Sequence, residues 1–171
     1  MQAAIQRLRN RKDEEQGFTL IELMVVVLII AILIAFAIPT FLGARRRAQD
    51  RSAQSTDRNA ITAAKTVFSD TEDYLLVTNA ELSSAEPAIT FEATSATPSA
   101  GPKSASVDQV SATEIVFAVE SKSGACFAAR DVIDPSGTTA TQFSKVSNVA
   151  SGACTADAAQ VAANVNWADQ F

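Results

Sequence analysis

Residues 18–38 are apolar at every position except Thr19 and Glu22. Leu, Ile and Val fill the run on all sides, so no polar stripe is left to face water. About 21 residues at roughly 1.5 Å each predict a helix of roughly 30 Å, the thickness of a bilayer core. The pattern then changes. Beyond Pro39 and Gly43, the apolar positions Ala44, Ala48, Ala60, Ile61, Ala64, Val67 and Phe68 recur at three- and four-residue spacings. Arg45, Arg46, Arg47, Asp50, Arg51, Asp57, Arg58 and Lys65 lie between them. This spacing predicts an amphipathic continuation of the helix, kinked rather than ended by Pro39 and loosened at Gly43. The arginine run reads as a solvated face carrying (i, i+4) pairs such as Arg46 with Asp50. Charge pairing between stacked copies is its functional alternative.

Residues 78–112 are rich in Ser, Thr, Ala and Pro and include Pro87, Pro98, Gly101 and Pro102. They predict a long surface loop, with one short strand at residues 89–91. A soluble loop and a carrier of glycans or adhesive contacts are the two readings of its hydroxyls. Strand patterns follow at 113–120 and 124–132, separated by Ser121, Lys122 and Ser123 in hairpin spacing. Asp134, Pro135, Ser136 and Gly137 form a turn signal, and 139–146 reads as a third strand. A sheet this small is stable only when one face packs on another element, and the amphipathic helix is the available partner. Residues 155–165 suggest a short terminal helix, with Trp167 docking behind it.

Composition narrows the chemistry. The chain has 171 residues, a net charge of -5, no His and two Cys. An acidic balance argues against binding nucleic-acid phosphates, and the missing His removes the commonest general base and metal ligand. No set of nucleophile, base and orienting group is visible. A non-enzyme that needs no cofactor and no metal is expected.

Glu22 is the odd residue of the apolar run. A carboxylate in hydrocarbon is costly, so it either sits at headgroup depth or awaits a positive charge, such as an α-amino group freed by cleavage before Phe18. Ahead of the run, Arg7, Arg9, Arg11 and Lys12 precede Asp13, Glu14 and Glu15, while Arg45, Arg46, Arg47 and Arg51 follow it. Basic residues therefore stand on both sides and do not fix an orientation. A secretory signal is the rival reading. Residues 23–34 have the length of a signal core, and Ala35, Phe36 and Ala37 fit a cleavage site that would release a soluble protein. Glu22 and the acids before it stand against that.

The sequence Gly17, Phe18, Thr19, Leu20, Ile21, Glu22, with the apolar run and Pro39 after it, resembles the N-terminus of type IV prepilins. The likeness covers about a quarter of the chain, from residue 17 to roughly residue 50. It implies cleavage after Gly17 by a prepilin peptidase that also N-methylates Phe18. It makes Glu22 the acid that pairs with a neighbour's N-terminal amine during assembly. It also implies an α+β pilin fold, a long helix packed on a small antiparallel sheet. The segments would be a leader at 1–17, a membrane and filament-core helix at 18–38, its amphipathic continuation at 39–76 and a head at 77–171. In the part so placed outside the cell, the even pair Cys126 and Cys154 argues for a disulfide, as in the C-terminal loop of pilins.

The implied function is that of a structural subunit of a type IV pilus, for adhesion, twitching motility or DNA uptake. Its partners would be further copies of itself in a helical polymer, the peptidase, the pilus assembly machinery and, before assembly, the membrane. No direct nucleic-acid contact is expected. The precursor would lie in the cytoplasmic membrane and the product in a surface fimbrium. A pseudopilin of a type II secretion or competence system, a minor tip subunit, and a membrane-anchored or secreted binding module remain alternatives.

Overall fold

The computed structural model describes residues 17–146, 152–157 and 166–171. These fall into two units that divide between Gly43 and Ala44. One helix, α1 (Leu20–Thr71), contributes to both. It passes through Pro39 and Gly43 without a break in helical hydrogen bonding strong enough to end it. It stops at Glu72, which adopts the left-handed conformation with φ 54° while its N–H still reaches Phe68 O at 2.7 Å. Glycine usually takes that terminal position, and a side chain there costs about 1–2 kcal/mol.

In the second unit a 3-10 turn at Tyr74–Leu76 follows, capped by Asp73, whose carboxylate accepts from Leu75 N at 2.8 Å. A short helix, α2 (Asn79–Ala85), comes next. Five strands complete the unit: β1 (Thr90–Phe91), β2 (Ser104–Ser111), β3 (Glu114–Glu120), β4 (Cys126–Ile133) and β5 (Thr139–Val146). They form one sheet in chain order, antiparallel throughout except for the parallel pair β1 and β2. The expected hairpins are present in register: Phe117 faces Ala129 across β3 and β4, and Ala129 faces Phe143 across β4 and β5. Asp134 shapes the last turn by accepting from the N–H groups of Ser136 and Thr138, and Gly137 supplies a φ of 81°.

The expectation of a long loop over 78–112 needs correction. Those residues hold α2, β1 and β2. Helix α2 is started by a capping box, Thr78 accepting from Glu81 N and Glu81 accepting from Thr78 N. Strand β2 is built from small residues that look solvent-loving, yet Ser104, Ala105, Ser106 and Val107 are all buried. Their hydroxyls are satisfied internally: Ser106 Oγ donates to Ser95 O and accepts from Ala156 N. A buried polar group so paired loses little on leaving water.

Both faces of the sheet are covered. Ala105, Val107, Ile115, Phe117, Val119, Phe127 and Ala129 join α1 residues Ala53, Ala60, Ile61, Ala64 and Val67 in one core. Alanines on that helical stripe allow close approach, and the buried Phe117 and Phe127 each contribute about 1.5–3 kcal/mol. The alternate side chains Val116, Ala118, Cys126 and Ala128 point to the other face, where Cys154, Ala156 and Trp167 cover them. The expected apolar positions Ala44 and Ala48 are exposed, because the packed stripe begins only at Ala53. The pair expected between Arg46 and Asp50 is also not formed. Asp50 instead receives Ser121 at 2.8 Å and Ser123, and meets Lys145 Nζ at 3.3 Å, tying α1 to the β3–β4 turn and to β5. Burial opposes its ionisation, but those hydrogen bonds and the lysine hold its carboxyl below the usual range.

The last residues wrap the outer edge of β5. Trp167 lies on one face with the Arg130 guanidinium 4.5 Å from its ring centroid. Ala168 pairs with Phe143 at the edge, and Phe171 packs on Phe127 and Phe143 of the other face beneath Arg58. An edge strand so covered has fewer free backbone groups with which to recruit another chain. Most of the expected terminal helix at 155–165 lies outside the described residues, as does the expected leader up to residue 16.

Two aspartates sit inside the helix-side core. Asp131 is fully buried and satisfied by Lys65 at 2.9 Å, Tyr74 Oη at 2.7 Å and Thr141 Oγ1 at 2.7 Å. Asp57 on α1 is equally buried, and neither carboxylate oxygen has a hydrogen-bond partner among the described residues. Burial pushes its carboxyl well above the usual range, and the Arg58 charge offsets this only in part. A group whose folded pKa is raised leaves stability whole below its unfolded value, near 4, and withdraws it as pH climbs toward the folded value. Asp57→Asn is therefore expected to match the parent at pH 4 and to exceed it by about 1 kcal/mol or more at pH 8. Thermal melts of the full chain at the two pH values check this. A gap that does not widen with pH would mean Asp57 finds a partner.

Candidate processing and assembly site

The first unit presents its apolar side chains outward. Every large hydrophobic residue from Phe18 to Leu42 among those described is about half exposed or more, and Phe18 reaches 85%. A contiguous apolar surface of this extent requires lipid or another chain to cover it. Among the described residues, α1 is the helix long and apolar enough to cross a membrane.

At its start, Gly17 has open space where a side chain would stand, with nothing within 4 Å. Thr19 and Glu22 then form a reciprocal cap. Glu22 Oε2 accepts from Thr19 N at 2.9 Å and from Thr19 Oγ1 at 2.7 Å, and Thr19 Oγ1 accepts from Glu22 N at 3.3 Å. Free N–H groups at a helix start are thereby satisfied, and a carboxylate is favoured there by the helix dipole. Sequence reasoning singled out Glu22 but missed Thr19. The signal was the Thr-x-x-Glu spacing that also opens α2. Oε1 of Glu22 has no hydrogen-bond partner among the described residues.

Farther along, Pro39 supplies no N–H to the carbonyl one turn back. Thr40 Oγ1 donates to Phe36 O at 3.0 Å in the same turn. Gly43 is the last residue of the first unit, and the remaining expected site residues lie in the second, where Cys126 and Cys154 form a disulfide with Cα atoms 5.5 Å apart. It fastens the covering segment to β4, and Ser99 N–H donates to the Cys154 carbonyl at 2.9 Å. The described residues contain no group of three or more metal-ligating side chains.

Residues 13–38 match the family described as the prokaryotic N-terminal methylation motif. The chain is 41% identical over 68 residues to the type IV major pilin protein PilA of Myxococcus xanthus, a match covering 40% of this chain and 31% of that one. It is 58% identical over 43 residues to the type IV wide pilus major component PilA4 of Thermus thermophilus, covering 25% and 30% respectively. The chain thus matches about a third of the length of the curated relatives it resembles. No solved structure gives a significant match. The N-terminal segment is thus similar to those of type IV pilins, and the architecture is α+β with a long N-terminal helix, as in a pilin-like fold.

Proposed function

We propose that this chain is a repeating structural subunit of a type IV pilus. The observation that carries the reading is the exposed apolar helix headed by Gly17, Phe18 and the half-engaged Glu22 carboxylate. The methylation motif over the same residues supports it. In this reading a prepilin peptidase cuts after Gly17 and methylates the new amine of Phe18. The mature helix waits in the cytoplasmic membrane and passes into a surface filament, where copies of itself replace lipid around residues 18–38. Glu22 then meets the amine of a neighbour. Two opposite charges gain most where water is excluded, and either one left alone there is strongly disfavoured, which sets the register. Pro39 and Gly43 would supply a kink between the segment at 18–38 and the amphipathic residues beyond. The role is assembly rather than turnover.

Intact mass and N-terminal fragmentation of protein sheared from cell surfaces test this. The expected chain starts at N-methyl-Phe18 and is two hydrogens lighter than its reduced form. A chain starting at Ile38 would show signal-peptide cleavage and remove the filament reading. An unprocessed Met1 found only in membranes would mark an anchor instead. A processed chain absent from the sheared fraction would favour a short pseudopilus.

A further inference from the structure

The second unit carries two surfaces that its own fold leaves unanswered. One is a cleft of about 680 Å³ between α1 and the loop leading into β2. Ala48, Ala100 and Pro102 give it apolar walls, and Arg45, Lys103 and Lys122 give it three positive charges. All three cations are exposed, and none takes part in an ion pair among the described residues. The nearby acids form no ion pair with them: Glu92 accepts the Ser104 hydroxyl, Asp50 is held by Ser121, Ser123 and Lys145, and Glu120 lines an adjoining hollow that Lys122 shares.

The other surface is the tip beyond the end of α1. Asp70, Glu72 and Asp73 stand there, with Asp70 and Glu81 lining a depression of about 260 Å³. Asp70 and Glu72 are exposed and form no ion pair among the described residues. Immediately after them, Leu75 and Leu76 are 56% and 59% exposed. They are the only large apolar side chains beyond Leu42 among the described residues to be so exposed. The tip thus offers negative charge beside bare leucine, and the cleft offers positive charge beside apolar walls.

We propose that the cleft of one copy receives the acidic, leucine-bearing tip of another. The match in both sign and apolar character favours a second copy over a small anion, which would leave the leucines bare. Arg45 and Asp70 are about 25 residues apart on α1, so the two surfaces lie roughly 37 Å apart along the helix. Because they are different surfaces, the contact is heterologous. It cannot close on itself as a two-fold dimer does, and it adds copies end to end. The proposal rests on the pilus reading and specifies which faces of the subunit meet.

Charge exchange in the full-length chain tests it. Lys103→Glu with Lys122→Glu, and separately Asp70→Lys with Glu72→Lys, are each expected to lower the yield of sheared filaments by at least about tenfold. All four together are expected to restore it to within about threefold of the parent. Lys122→Cys combined with Leu76→Cys in one chain should give a ladder of dimers, trimers and longer products on non-reducing gels. Either cysteine alone should give no ladder. Read on membrane-bound as well as sheared protein, an absent ladder overturns the contact, as does a fourfold variant that fails to recover. Parent filaments accompanied by either result would leave the pilus reading intact. A parent that is never cleaved at Gly17 would remove that reading by itself, while the ladder still judges the contact.

Discussion

Glu22→Ala is expected to lower the yield of sheared filaments by at least about tenfold, while the amount of chain in the membrane fraction stays within about twofold of the parent. On the proposed reading the two readouts separate, because the carboxylate would have different work in the two states. In the structure its contacts are with Thr19 of its own chain. Alanine forfeits that cap, but insertion is driven by the apolar residues that follow and proceeds without it. In a filament built as proposed, the alanine would strand a neighbour's amine in apolar surroundings. Glu22→Gln sharpens the comparison, since it keeps a side chain that can accept from Thr19 but removes the charge. If Gln supports filaments as well as Glu does, the acid is a helix cap and not an assembly charge.

The second large effect concerns the disulfide. Its 28-residue separation corresponds to about 3–4 kcal/mol on the chain-entropy account. Replacing both Cys126 and Cys154 by Ser is expected to remove about 3 kcal/mol from the stability of the second unit. Denaturant titration of the full chain in detergent, followed through the Trp167 fluorescence, checks it. Reductant should bring the parent down to the level of the double variant and leave the double variant unchanged. A parent indifferent to reductant would show that packing of Cys154 and Ala156 on the sheet suffices without the covalent bond. The residues released in the expected case also include those that satisfy Ser106, so the loss reaches β2 as well as the tail.

What could be read in the chain followed the strength of each periodic signal. The apolar run, the β3–β4–β5 meander and its Asp-Pro-Ser-Gly turn were legible because apolar alternation and turn chemistry agreed. Strand β2 was not, because Ser104 and Ser106 count as surface residues until the partners of their hydroxyls are known. Those partners include Glu92, the Ser95 carbonyl and the distant Ala156 backbone, which no local pattern announces. Helix α2 was readable in principle through Thr78 and Glu81, whose spacing is the capping signature. At the candidate site the same signature sets Thr19 against Glu22, where the Thr-x-x-Glu spacing overlaps the processing motif. Asp50 was misassigned for a related reason. A helical neighbour such as Arg46 is visible in sequence, whereas Ser121, Ser123 and Lys145 reach it only after the sheet has formed. Asp57 lies at the limit of sequence reading, since a carboxylate among charged neighbours gives no sign that it will be buried with no partner among the described residues.

The bond between Cys126 and Cys154 also encloses the turn at 134–138, where every residue is exposed. A protease that finds this turn opens the backbone inside a covalent ring. One cut therefore sheds nothing: the two pieces stay joined through sulfur, and β4 and β5 stay paired along eight facing positions. Releasing a piece of the ring itself requires a second cut between the two cysteines, and the first has left most of the sheet in place to resist it.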